Sequence, residues 1–330
     1  MQSLGAKSQN VTRLSSHLPE GTIDSHMHII PPDFDRFPLQ ASAQYKPTPH
    51  TLSDAMAFYT QQSGLGIARP RMVLVQVSIY GNDNSALLSG IAELGEDGRG
   101  VVQFDPAQIS TEQLDVWWQQ GARGVRINLV SVGRSITEDD LLQLLQTYVD
   151  KLAKTKSAST GKKWVIEMFL PLRSMLSLLN ILPKVQGGKK VRFCLDHFAG
   201  LKFKDDAPDF GPDDDPYLIP GFSELVQLVT DQALPEVYLK ISAQYRVDPT
   251  YSSQDALRRL DPVGRELIQK AEDRVIWASD WPHTRFENID SVPFVESCYS
   301  WCGEGAKGDA RREKLFRLNS EALWDMRRDA

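Results

Sequence analysis

The sequence predicts an α/β chain folded as a (β/α)8 TIM barrel, and three observations carry that expectation. From Gly21 onward, eight short apolar runs alternate with eight longer amphipathic ones, the order of a parallel sheet wound with helices. Several short runs are almost continuously apolar, as in Met72-Val-Leu-Val-Gln-Val-Ser78, which a strand covered on both faces requires. Polar residues gather where these runs stop, and a parallel barrel opens its mouth at the C-terminal ends of its strands. An open doubly wound sheet is the competing architecture. No Gly-x-Gly-x-x-Gly follows a strand and no Gly-Lys-Ser/Thr phosphate loop is present, which disfavours its nucleotide-binding versions.

Taken in order, residues 1–19 read as a flexible N-terminal arm and 20–330 as one barrel domain. Strands are expected at 22–23, 71–79, 100–104, 122–129, 164–170, 191–196, 237–242 and 274–279. Helices are expected at 52–62, 84–96, 111–120, 137–154, 172–182, 222–231, 254–271 and 311–327. Thr51 is a plausible cap for the first helix, and Thr137-Glu-Asp-Asp140 supplies a cap and first-turn acids for the fourth. Residues 31–49, 199–220 and 280–293 read as loops, the first and last bordering the expected mouth.

Composition narrows the partners. The 330 residues are 41% hydrophobic and 24% charged with a formal net charge of -6, so the chain has material for a sizeable core but no basic stripe for nucleic acid or anionic membrane. No apolar run approaches the ~20 residues of a membrane-spanning helix, and the polar first residues lack the apolar core of a secretory signal. Cys194, Cys298 and Cys302 are too few and scattered for a disulfide framework or thiolate zinc site. Expectation is therefore a cytoplasmic protein, monomer or homodimer, acting on a small-molecule anionic substrate.

The chemistry starts at Thr22-Ile-Asp-Ser-His-Met-His-Ile-Ile30. On an extended strand His26 and His28 project to one face; alone, such a pair fits a surface loop equally well. Later strand ends add partners: Ser78 and Tyr80, Arg126 and Asn128, Asp196-His197, Ser242 with Arg246, and Ser279-Asp280-Trp-Pro-His283. His26, His28, His197 and Asp280 have two readings. They could bind one Zn2+ with an open position for water. Without metal, the imidazoles could polarise a substrate carbonyl while Asp280 takes a proton from the attacking water, with His283 orienting Asp280 or helping proton transfer. Arg126 and Arg246 suit carboxylate recognition, unless one of them simply pairs with Asp280. Ser78, Tyr80, Asn128 and Arg134 are further candidates for substrate contact.

These motifs carry a resemblance. Asp24-Ser-His-Met-His28, Val73-Leu-Val-Gln-Val-Ser78 with Gly81-Asn-Asp-Asn84, Gly124-Val-Arg-Ile-Asn128, Leu195-Asp-His197, Leu239-Lys-Ile-Ser242 with Tyr245-Arg246, and Trp277-Ala-Ser-Asp-Trp-Pro-His283 resemble the amidohydrolase superfamily. Within it they are most similar to the branch of lactonases that open 2-pyrone-4,6-dicarboxylate. The resemblance implies a distorted barrel and metal-free lactone hydrolysis. It assigns carbonyl polarisation to His26, His28 and His197, water activation to Asp280, carboxylate binding to Arg126 and Arg246, and the rest of the pocket to Ser78 and His283. The implied cofactor is none. The alternative is one Zn2+ on His26, His28, His197 and Asp280, in a decarboxylase of an aromatic or related acid like those of the wider superfamily. No lysine ends the fourth strand, which disfavours a binuclear centre bridged by a carbamylated lysine. Two departures bear on substrate. The pattern has a second arginine six residues beyond Arg126, where this chain has Val132, with Arg134 nearby; its fifth-strand tyrosine aligns with Phe169, near Glu167. Both point toward a lactone with one carboxylate, or a larger and more apolar one contacting Phe34, Phe37 and Tyr45.

Overall fold

In the computed structural model, eight parallel strands pair in chain order. They are β1 (Ile23–Met27), β2 (Arg71–Val75), β3 (Gly98–Val102), β4 (Ala122–Asn128), β5 (Val165–Phe169), β6 (Arg192–Leu195), β7 (Val237–Ile241) and β8 (Val275–Trp277). Residues 18–43, 45–61, 67, 70–129, 136–248, 250, 254–286 and 289–327 are described; the expected arm, apart from its last two residues, and Arg134 lie outside them. The sheet closes just past β8. Met27 bridges Trp281, the His28 amide donates to the Trp281 carbonyl at 2.8 Å, and the Asp280 amide donates to the His26 carbonyl at 2.9 Å. The chain is a (β/α)8 barrel, and the seam that closes it brings His26 and His28 beside Asp280.

The longer helices between strands are α1 (Leu52–Gln61), α2 (Ser85–Leu94), α3 (Thr111–Gln119), α4 (Glu138–Leu152), α5 (Met175–Ile181), α6 (Phe222–Thr230) and α7 (Gln254–Lys270), with α8 (Val292–Trp301) after β8. Thr137 caps α4 by accepting the Asp140 amide hydrogen, as its sequence predicts. Helix α8 starts inside the stretch expected to be loop and runs beyond it. Its Val, Phe, Tyr and Trp residues form helices poorly on their own, and burial of Phe294, Val295, Cys298 and Trp301 overrides that preference. The last expected helix begins earlier, at Gly305, and is interrupted. Helix α9 (Gly305–Glu313) passes through a π-helical segment (Lys314–Leu318) into α10 (Asn319–Trp324).

Alternation along each strand sorts residues between helix layer and barrel interior. Ile23, Val73, Val101, Val165, Tyr238 and Ile276 cluster inside with Leu323 and Trp324. Trp324 is fully buried, and its indole N–H donates to Ser25 Oγ at 3.2 Å, so α10 plugs the floor. Two residues further along β4, β5, β6 and β7, the same inward face carries Arg126, Glu167, Asp196 and Lys240, all buried. The interior is thus layered: an apolar plug, a charged tier, and above it the mouth.

Candidate active site

Each strand end enters the mouth by a specific local device. Asp24 Oδ1 accepts the backbone N–H groups of both His26 and Ser279 at 3.0 Å, tying the β1 segment to the β8 exit. Strands β6, β7 and β8 are followed by left-handed residues: His197 at φ 53°, Ala243 at 55° and Asp280 at 61°. Such a residue turns the chain sharply where it leaves the sheet, and a non-glycine held there is strained. The turn at His197 continues to Gly200, where φ is +67° and an added Cβ would lie 2.2 Å from the Leu170 carbonyl oxygen. Only glycine fits there.

Three imidazoles converge on one oxygen. The Nε2 atoms of His26, His28 and His197 lie 3.6, 3.7 and 3.8 Å from Asp280 Oδ1. The His26 ring centroid is 4.9 Å from that of His28 and 4.7 Å from that of His197. The far sides of the rings are held: His28 Nδ1 lies 2.8 Å from the Val75 carbonyl oxygen and His197 Nδ1 2.9 Å from Ser242 Oγ. Asp280 Oδ2 accepts from Arg246 Nε at 2.9 Å and from the Tyr245 hydroxyl. His26 Nε2 and Asp280 Oδ1 are buried without a hydrogen-bond partner. A buried polar group left unpaired costs about 1–3 kcal/mol, so this pair facing each other marks a place for a ligand atom.

Electrostatics keep the rings neutral and the carboxylate charged. Burial pushes His28 and His197 down to about 4. Burial, reinforced by the Lys240 charge, takes His26 well below the usual imidazole range. Burial opposes ionisation of Asp280, but the surrounding imidazoles, which become cations in the acid range where Asp280 would titrate, and the Arg246 guanidinium outweigh it and hold the carboxyl well below its usual range. At neutral pH the arrangement is a carboxylate acceptor ringed by uncharged imidazoles, which can take a proton from water and hydrogen-bond a carbonyl oxygen.

The amidohydrolase family model matches residues 23–326. The chain belongs to the amidohydrolase family. The 2-pyrone-4,6-dicarboxylate hydrolase of Comamonas testosteroni is 26% identical over 304 residues, covering 87% of each chain. The 4-sulfomuconolactone hydrolase of Hydrogenophaga intermedia is 26% identical over 313 residues, covering 93% of this chain and 89% of that one. Among solved structures, one from Agrobacterium tumefaciens superposes with a TM-score of 0.70 at 20% identity, covering 94% of this chain and 97% of its own. That likeness is one of fold.

In this amidohydrolase, His28, Ser78, Arg126, Asn128, His197, Arg246 and Asp280 line one cavity; His26, fully buried, does not line it and stands behind Asp280, with Nε2 3.6 Å from Oδ1. Two expected residues sit elsewhere. Ser78–Tyr80 coils into a 3-10 turn, which breaks the alternation that would put Tyr80 beside Ser78; Tyr80 packs instead with Ile30, Phe37, Val77 and Ile79. His283, at φ 61°, turns its ring toward Phe58 and Tyr245. The orientation of Asp280 expected of His283 comes instead from Tyr245 and Arg246. Arg246 therefore pairs with Asp280 and lines the cavity as well. Arg126 donates to the Gln76 carbonyl at 2.9 Å.

Sequence reading missed three residues. Arg285 lines the same cavity with its guanidinium 4.6 Å over the Tyr45 ring; its position five residues past Asp280 gave no periodic signal. Tyr245 was visible only as a neighbour of Arg246. Lys240 was legible in principle, because a charge inside the apolar run Val237-Tyr-Leu-Lys-Ile241 must face a barrel interior and find acids there. Its Nζ donates to Glu167 Oε2, lies 2.9 Å from His26 Nδ1 and 3.2 Å from Asp196 Oδ1.

Lys240 bears on metal binding. Three imidazoles and a carboxylate are the donor types one Zn2+ takes. A metal-bound histidine usually donates its other ring N–H to an acceptor. His28 does so at the Val75 carbonyl. His26 Nδ1 faces both the Lys240 ammonium at 2.9 Å and the Asp196 carboxylate at 3.3 Å, so the fit of this set to zinc turns on which of the two the ring bonds.

Proposed function

We propose that this amidohydrolase opens an anionic lactone without a metal ion. The observation that carries the proposal is the facing pair of unpartnered buried groups, His26 Nε2 and Asp280 Oδ1, 3.6 Å apart. In this reading, Asp280 Oδ1 takes a proton from water as the water oxygen bonds to the ring carbonyl carbon. The carbonyl oxygen, becoming an oxyanion, is held by imidazole N–H. The ring C–O bond then breaks and the Asp280 proton passes to the departing oxygen. The product is the open acid, and the carboxylate is restored.

The substrate's charge follows from Arg126, Arg246 and Arg285 around one cavity. Guanidinium forks suit carboxylate and sulfonate groups, and the named substrates of both relatives are anionic lactones. Arg285 with Tyr45 would supply the second anion contact that the Val132 position lacks. Phe169 adds an apolar wall, its ring 5.1 Å from that of His197.

The test is acid release, by pH-stat, from a panel of carboxylated and sulfonated lactones, before and after exhaustive chelation. Hydrolysis that survives chelation is expected. No acid release from any lactone, or zinc-dependent release of CO2 from aromatic acids, would overturn the proposal.

A further inference from the structure

Beneath the mouth, Lys240 is fully buried and is not among the residues that line the cavity. Its Nζ is surrounded by Glu167 Oε2, His26 Nδ1 and Asp196 Oδ1, with the Trp324 ring 5.3 Å away. An ammonium group has three N–H donors and no lone pair. His26 Nδ1 at 2.9 Å must therefore accept. A neutral imidazole that accepts at Nδ1 carries its hydrogen on Nε2. The opposite tautomer would donate from Nδ1 to Asp196 Oδ1, 3.3 Å away, and would point an N–H at an ammonium. Asp196 Oδ1 is instead in ion-pair contact with the same ammonium, 3.2 Å from Lys240 Nζ. His28 is polarised the other way: the Val75 carbonyl oxygen 2.8 Å from its Nδ1 can only accept, so the His28 hydrogen is on Nδ1 and Nε2 presents a lone pair.

We propose that Lys240 is a positioning residue that locks His26 in the Nε2–H tautomer, so that two histidines two residues apart have opposite roles at one substrate. His26 is the donor to the carbonyl oxygen. His28, with Asp280 Oδ1, offers acceptors that orient the attacking water. This rests on the lactone-opening reading for its chemistry, but the tautomer is a property of the resting protein. The same device opposes zinc, which needs the lone pair that Lys240 denies to His26 Nε2.

The test uses the full chain with 15N-labelled histidine and two-bond 15N–1H correlation, the His26 signals assigned by their loss in His26→Asn. The wild type is expected to show His26 as Nε2–H and His28 as Nδ1–H. In Lys240→Met, His26 is expected to switch to Nδ1–H, donating to Asp196. Lactone turnover should then fall by about 100-fold or more in kcat, the loss typical of one oxyanion donor, with KM little changed. Affinity for Zn2+, titrated alone by calorimetry, should rise about tenfold or more, as when a metal-bound histidine gains its carboxylate partner. If Lys240→Met does not fold, Lys240→Met with Glu167→Gln removes one charge of each sign and carries the same expectations. A wild-type His26 with its proton on Nδ1, or a tautomer unchanged by loss of Lys240, would overturn the proposal. A protein that opens no lactone yet shows the tautomer switch would overturn only the lactone reading.

Discussion

Replacing Asp280 with Asn changes one atom of the site and tests its chemistry directly. Asp280 is 1% exposed. Its Oδ2 already accepts from Arg246 Nε at 2.9 Å and from the Tyr245 hydroxyl. The Asn carbonyl oxygen can keep those two donors, which places the amide NH2 where Oδ1 stood, facing the three Nε2 atoms. A proton acceptor becomes a donor in nearly the same volume. General base catalysis contributes typically 100- to 10,000-fold, or about 3–5 kcal/mol of barrier. We expect kcat for lactone opening to fall by about three orders of magnitude. KM should hold or drop, because the carboxylate that repels an anionic substrate is gone. Stability should change little, since Arg246 retains an acceptor and its side chain is 25% exposed to water. The assay is pH-stat turnover at saturating substrate, with thermal unfolding by circular dichroism on the same sample. A variant that melts like the wild type and keeps kcat within tenfold would refute Asp280 as the base.

Stability should fall on acidification, because His28 and His197 titrate at about 4 when folded and near 6.5 when unfolded. Below pH 6.5 the unfolded chain binds more protons, so their contribution is complete above that pH and lost progressively toward pH 4. At pH 5 the loss is about 2 kcal/mol per histidine; urea midpoints at pH 7.5 and 5 should show it, with a flatter dependence in His197→Asn, and equal slopes would contradict it. Gly200→Ala should destabilise by about 2–4 kcal/mol, combining a left-handed alanine with a Cβ 2.2 Å from the Leu170 oxygen; a melting temperature within a degree of wild type would count against the turn as described. Arg126→Met should raise KM for a carboxylated lactone about 10- to 100-fold, and Arg285→Ala, exposed at the rim, about 3- to 10-fold. Equal losses with an uncharged lactone would show that neither arginine reads the substrate's charge.

Much of the barrel was legible because its determinants are local. Buried parallel strands demand apolar runs, and all eight expected strands appear in the sheet. The ends shifted by a few residues because pairing with neighbours, not propensity, sets where a strand stops. Helix α8 was missed because its stability comes from contacts with distant residues such as Gly264, where an added Cβ would lie 2.4 Å from the Trp301 ring. In the site, His26, His28, His197 and Asp280 stood out because each follows an apolar run. Tyr80 and His283 were placed wrongly relative to the cavity for a shared reason: a 3-10 turn and a left-handed residue rotate a side chain away from the face that alternation assigns.

The sequence by itself determined the strand–helix order and the identity of the groups at the strand ends. These depend on residue type and short-range period. Only the tertiary structure decided which atoms meet. The closing seam at Trp281 sets His26 Nε2 against Asp280 Oδ1, and the β7 face puts Lys240 against His26 Nδ1 across 214 residues of chain. A tautomer depends on which partner lies within about 3 Å of a ring nitrogen, and no spacing along the chain encodes that distance.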